Sequence, residues 1–308
     1  MRTIIQKIRE HTPNRVRWTL GPYVAYIAYW FRMHVLGNKD APKVLSVNDT
    51  LDLIIKNNLS VIRYGDGEMS IMQGTDLGFQ KADPALARRL KEIIGQNPKG
   101  LLVCLPDLFG KLENLAWFAL RFALHHQLRY RHEWLALLSS GQVYGNTFMT
   151  RPYLAYKASQ RENSGEVFRK LFSIWRGQQV VLIEGSKSRV GVGNDMFKNT
   201  ASVSRILGPA ENAYAKLSEI FNEASKFSRD KLMLLALGPA AKVLGYDLFR
   251  AGYRVIDVGH LDMEYEMYLR NEAIQTKLKY KYLNEINERN PEECTDPEYL
   301  SQIIVNIQ

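Results

Sequence analysis

Apolar residues along this chain fall into short runs closed by glycine, proline or polar residues, and between the runs lie stretches with helical spacing. The runs at Leu59–Tyr64, Leu101–Leu105, Val180–Glu184, Val203–Leu207, Leu232–Leu237 and Arg254–Val258 predict buried strands. Helices are predicted over Val47–Lys56, Pro84–Ile94, Leu112–Leu138, Gly165–Trp175, Ala210–Ala224 and Ala240–Ala251. Strands that alternate with helices imply an α/β fold with a mostly parallel sheet flanked by helices. Repeats and low-complexity linkers are absent, so residues 46–308 are expected to form one catalytic domain, with a C-terminal extension from about residue 270.

The first 45 residues break this pattern and form a separate N-terminal appendage. Arg2, Lys7, Arg9, Arg15 and Arg17 precede an uncharged run from Trp18 to Phe31, and Arg32, His34 and Lys39 follow it. The run is shorter than the ~20 apolar residues that cross a bilayer. Its tryptophans and tyrosines, flanked by bases, suit the headgroup region of an anionic membrane. A helix packed on the body of the protein, or on a twin subunit in a homodimer, is the alternative.

Composition narrows the class. With 308 residues, 46% hydrophobic and 24% charged, the chain can bury a substantial core. Cys104 and Cys294 lie far apart with no metal-ligand spacing around them, which fits a reducing cytoplasm, with attachment to the inner face of the membrane if residues 1–45 bind lipid. The net charge of +9 implies anionic partners. Nucleic acid is not expected among them, because no aromatic RNA-binding motif, zinc-finger spacing or long basic tract is present.

In open α/β sheets, ligands gather beyond the carboxyl ends of the strands. After the first predicted strand stand Asp66 and Glu68 in Gly65-Asp66-Gly67-Glu68, hard oxygen ligands of the kind Mg²⁺ and Mn²⁺ take, although Asp-Gly is also a common turn. After Val180–Glu184 come Lys187, Arg189, Gly191, Gly193 and Asn194, a candidate phosphate cradle or a plain surface loop. Gly238 and Pro239 open the helix after Leu232–Leu237, where an anion could sit. His260, Asp262 and Glu264 follow the last predicted strand and could supply a metal ligand or a general base, or could simply begin a solvated helix. Arg151 lies in the polar, aromatic segment Tyr144–Tyr153, which suits sugar hydroxyls and phosphate. The His125-His126 pair, in an apolar helix, is expected to be structural.

Taken in order, these segments resemble the glycosyltransferases of the GT-D fold. The resemblance spans about Ser46 to Leu269 and rests on Val61-Ile62-Arg63-Tyr64-Gly65-Asp66-Gly67-Glu68, Thr150-Arg151-Pro152-Tyr153, Ser188–Asp195, Arg205-Ile206-Leu207-Gly208-Pro209, Leu237–Ala241 and Asp257–Glu266. It implies a Rossmann-like sheet, a UDP-sugar donor, UDP-glucose or UDP-galactose first, and a DxE motif at Asp66 and Glu68 holding Mn²⁺ or Mg²⁺ on the diphosphate. His260 is a third candidate metal ligand. Arg63, Arg151, Lys187, Arg189 and Arg205, with Gly191, Gly193, Asn194, Gly238 and Pro239, are the expected donor-binding residues, and Asp262 or Glu264 is the expected base. The implied acceptor is a glycan or lipid-linked saccharide in bacterial surface polysaccharide or glycoprotein synthesis. A metal-dependent phosphohydrolase or nucleotidyl transferase, or a non-catalytic scaffold of a glycan assembly complex, are the rival readings.

Overall fold

The computed structural model describes residues 23–24, 26–31 and 41–308, apart from 111 and 140. The expected membrane anchor therefore lies mostly outside the described residues. Of its uncharged run, residues 23–24 and 26–31 are helical. Among the described residues, no helix is long and apolar enough to cross a membrane.

Among the described residues, nine strands form one sheet: β1 (Lys43–Val44), β2 (Ser60–Arg63), β3 (Leu101–Leu105), β4 (Val143–Asn146), β5 (Gln179–Gly185), β6 (Ser202–Gly208), β7 (Leu232–Ala236), β8 (Arg254–Asp257) and β9 (Ile303–Asn306). Their order is β1-β4-β3-β2-β8-β7-β5-β6-β9, and every pairing is parallel. The helices are α1 (Val47–Asn57), α2 (Asp66–Met72), α3 (Pro84–Ile94), α4 (Trp117–Leu137), α5 (Ala158–Arg161), α6 (Ser164–Ser173), α7 (Leu217–Ala224), α8 (Ala240–Arg250), α9 (Leu261–Leu269) and α10 (Pro297–Gln302).

Local chemistry sets several of these boundaries. Ser46 accepts a hydrogen bond from the Asp49 amide and caps α1, and Asp83 does the same for Ala85 and Leu86 at the start of α3, where Pro84 takes the first helical position. Strands β2, β3 and β7 are buried at every position, as a parallel sheet covered on both faces requires. The layers above and below are filled by separate apolar clusters. One joins Leu51, Leu182 and Leu234 to Trp175, and a second joins Ile62 and Val103 to Leu90 and Trp134.

The six predicted strands are all present, β3 with the expected bounds. The sheet also gains β1, β4 and β9 at and near its edges. Short length hid them: β4 contains a glycine and β1 has two residues. Gly65-Asp66-Gly67-Glu68, for which a turn was the plain alternative, is the start of α2, with Gly65 as N-cap and Glu68 Oε2 accepting from the Gly65 amide at 2.7 Å. That single bond, accepted by the Glu68 carboxylate from the N-cap amide, offsets part of the poor helix propensity of Gly67.

Strand order fixes where a crevice opens. From β2 the chain moves toward β3 and β4, whereas from β8 it crosses to β9 at the opposite edge, so the adjacent strands β2 and β8 diverge in their connections. Ligands in such sheets bind at this kind of reversal.

Candidate active site

Arg63 ends β2 and lies across the tip of β8. Its Nε donates to the Asp257 carbonyl at 2.8 Å, Nη2 pairs with Asp257 Oδ1 at 3.0 Å, and Nη1 donates to Thr150 Oγ1 at 2.5 Å. Close approach explains Gly259, whose φ of +46° few other residues adopt and where a Cβ would collide with the Arg63 guanidinium. From α8, Lys242 Nζ joins Asp257 Oδ2 at 3.2 Å and Glu68 Oε1 at 2.9 Å. Two cations thus meet two carboxylates, all buried. Burial alone would raise the Asp257 pKa, but Arg63 and Lys242 outweigh it and hold the carboxyl below its ordinary value.

Above this floor is a cleft of about 840 Å³ lined by residues from β2, α2, α4, β5, β7, α8, α9 and the C-terminal segment. Asp66 projects from the first position of α2 at its edge, exposed, and its carboxylate makes no hydrogen bond or ion pair to a described residue. Across the cleft, Glu285 Oε1 bridges Arg151 Nη2 at 2.9 Å and His260 Nε2 at 3.1 Å. Glu285 is partly buried, which would raise its pKa, yet His260 and Arg151 bring it down to about 2. Glu285 pulls the His260 imidazole up, but burial and the nearby Arg151, Arg63 and Lys242 leave it below its ordinary value. Glu264 Oε2 accepts from the amides of Tyr153 and Leu154 at 3.1 and 2.9 Å. Its Oε1 accepts nothing from a described residue, and burial raises the pKa of this carboxyl despite Arg151 and the two amides.

The expected site residues divide into two groups. Arg63, Asp66, Glu68, Arg151, Gly238, Pro239, His260, Asp262 and Glu264 line the cleft. Lys187, Arg189, Gly191, Gly193, Asn194 and Arg205 do not. Lys187 Nζ bonds the Arg289 carbonyl and Asn290, and Arg189 is buried against the Tyr280 and Glu292 carbonyls and Glu293. Arg205 pairs with Glu184 at 2.5 Å and with Gln302 at 2.8 Å. These three cations bond to the C-terminal segment, and they lie outside the cleft lining, to which the loop contributes Ser188 and Val190. Gly191 and Gly193 have φ of +78° and +82°, and their loop wraps Asp262. Asp262 Oδ1 accepts from the Gly191 amide at 2.9 Å, Asn194 at 2.8 Å and Lys281 at 2.9 Å, while Oδ2 lies 2.7 Å from Lys281. Asp262 thus borders the cleft with both oxygens engaged, Oδ2 by Lys281 alone.

The metal expectation is likewise narrowed. Glu68 has both oxygens engaged, His260 faces Glu285, and no group of three acids, histidines or cysteines among the described residues could hold an ion. Asp66 alone is uncommitted. One carboxylate suits a divalent ion whose remaining ligands are phosphate oxygens and water, and does not make an all-protein cage. His126, which accepts from the Trp134 indole at 2.8 Å, is structural. Lys242, Lys281 and Glu285 were not anticipated: the lysine is one turn inside α8, and the other two lie in the C-terminal extension.

A parallel sheet with a charged cleft at its strand reversal is the layout of a Rossmann-like enzyme. The chain belongs to the glycosyltransferases of the GT-D fold, whose family model matches residues 61–286. A glycosyltransferase structure from Streptococcus sanguinis, a domain once of unknown function, is 37% identical, with a TM-score of 0.82 over 87% of this chain and 100% of its own. A probable glycosyl transferase of Streptococcus gordonii is 37% identical over 86% of this chain, and the glycosyltransferase GlyD of Streptococcus pneumoniae is 37% identical over 87%. This chain spans 39% and 33% of the length of those two curated relatives.

Proposed function

We propose that this protein transfers a hexose, glucose or galactose, from a UDP-sugar to a hydroxyl of a glycan or lipid-linked saccharide during bacterial surface polysaccharide or glycoprotein assembly. The observation that carries this reading is the uncommitted Asp66 carboxylate on the rim of a cleft whose floor holds Arg63 and Lys242 and whose far wall holds Arg151. The donor diphosphate lies at this end of the cleft, near Asp66 and the first turn of α8 after Gly238 and Pro239. Mn²⁺ or Mg²⁺ held there by Asp66 would act as a Lewis acid toward the departing diphosphate.

The acceptor side falls to Glu264. In a direct displacement the acceptor oxygen bonds to the anomeric carbon, the bond to the diphosphate breaks, UDP leaves, and the hydroxyl proton passes to a base. Two backbone amides pin one oxygen of Glu264 and leave the other uncommitted, and its raised pKa favours proton acceptance. The bridge from Glu285 to Arg151 and His260 holds the wall opposite Asp66 in place. On this reading the bases and aromatic residues of segment 1–45 attach the enzyme to the inner face of the membrane, where lipid-linked acceptors are held.

Incubation with UDP-glucose or UDP-galactose and Mn²⁺ tests the reading. Slow release of UDP and free hexose, in the absence of acceptor, is the expected result. Release of UMP or inorganic phosphate instead would indicate a phosphohydrolase, and no donor binding by calorimetry would leave only a scaffold.

A further inference from the structure

Among the described residues, most of the large exposed apolar side chains lie on two helices, the N-terminal one and α4. The helical residues 23–24 and 26–31 are exposed almost all round, and none of them is charged. Tyr29 is the exception to the exposure: the hydroxyl donates to the Gly110 carbonyl and accepts from the Leu112 amide, both at 3.2 Å. Tyr29 packs on the same small cluster as Ala119 and Leu120 of α4, a cluster built on Leu108, Leu112 and Leu124. Around this junction stand Tyr26, Ile27 and Trp30 of the helix and Trp117, Phe118 and Phe122 of α4, with Ile27 66% and Trp117 61% exposed. Soluble surfaces rarely leave so many large apolar side chains together in water.

We infer that this two-helix patch is the surface by which the protein docks on an anionic lipid bilayer. This rests on, and gives a structural basis to, the membrane placement proposed above. Charge complementarity chooses the occupant. No acid occurs from His11 to Lys39, a stretch that includes Arg15, Arg17, Arg32 and Lys39, and none occurs between Glu113 and Glu133, where Arg121 and Arg129 lie. Tryptophan and tyrosine with flanking bases are the composition of the headgroup interface. A second copy of the chain would meet the same positive charge, whereas anionic headgroups neutralise it.

The patch also orients the enzyme. Phe118, Phe122, Leu108 and Phe148 line the cleft, so the docking face is continuous with its mouth. A bilayer seated there holds the cleft open toward the headgroups, and a saccharide carried on a lipid reaches Glu264 without leaving the membrane.

Vesicle flotation of the full chain tests this. The protein is expected to float with phosphatidylglycerol-rich vesicles and not with pure phosphatidylcholine, and binding is expected to weaken as salt screens the headgroups. The double variant Ile27→Ser with Trp117→Ser, neither of which lines the cleft, is expected to lose on the order of ten-fold in partition. Its thermal midpoint and its hydrolysis of soluble UDP-sugar are expected to match the wild type. Equal flotation of variant and wild type would overturn the inference, as would a lipid-free dimer that the double variant abolishes. Loss of donor hydrolysis in the wild type would sink the transferase reading and leave the flotation result standing on its own.

Discussion

Two clusters of ionic side chains border the cleft, and they are built to opposite purposes. On the floor, Arg63, Asp257, Lys242 and Glu68 neutralise one another while the neighbouring Asp66 is left facing solvent. Behind α9, Lys281 reaches both Asp262 and Glu266, and Asn194 bonds the same two carboxylates. Both clusters are dense in acids and bases that look like ligand sites in sequence. The first supports a group turned toward the cavity. The second is paired within itself, and through Lys281 it ties the C-terminal segment to α9. A charged group in a cleft is available for chemistry only to the extent that its neighbours leave its lone pairs unused.

The contrast breaks first at the open carboxylates. Asp66→Asn is expected to lower transfer about 100- to 1000-fold, the scale of losing one leaving-group stabiliser, while circular dichroism and thermal midpoint stay unchanged. Glu264→Gln should cost about 100- to 10,000-fold in turnover with donor binding retained, and near-normal turnover would exclude it as the base. On the closed side, Lys281→Met leaves the buried Asp262 carboxylate without its cation, while Glu266 keeps Arg270. A loss of about 3–5 kcal/mol in urea-denaturation stability is expected, and a variant as stable as the wild type would contradict a structural part for this lysine.

Acid titration sharpens the floor network. The Asp257 pKa is lowered in the folded state, so its stabilising contribution is present above the ordinary carboxylate value of about 3.9 and is lost as pH falls through the lower folded value. The stability gap between wild type and Asp257→Asn should therefore be largest near neutrality and close in acid. A gap constant with pH would assign the loss to packing. The smallest effect belongs to Lys187→Ala. Its contacts at the surface of the C-terminal segment are worth less than about 1 kcal/mol, and donor hydrolysis should continue at the wild-type rate.

Much of the architecture was legible in the sequence, because a parallel sheet buried on both faces writes each strand as an uninterrupted apolar run. Leu101–Leu105 and Pro84–Ile94 have the bounds their patterns predict. The site was harder to read for two physical reasons. Gly65-Asp66-Gly67-Glu68 has the composition of a turn, and the signal for helix there was the glycine N-cap followed three residues later by Glu68. The Ser186–Asp195 loop has the composition of a phosphate cradle, but its distant partners come from residues 262–293, and no local pattern announces a pairing at such a distance. Lys242 was hidden because it sits within a helix, and a lysine there reads as a solvated face.

The register of β2 beside β8 carries a consequence for how the enzyme comes into being. Val61 pairs with Ile256, and Arg63 reaches Asp257 across 194 positions of chain. Closing so long a loop is entropically late and slow. As the chain leaves the ribosome, Asp66 emerges long before the lysine, histidine and glutamates that complete its surroundings. The halves on either side can gain strands and helices early, but the cleft does not exist until they meet. Folding and the acquisition of activity are therefore expected to be a single late event.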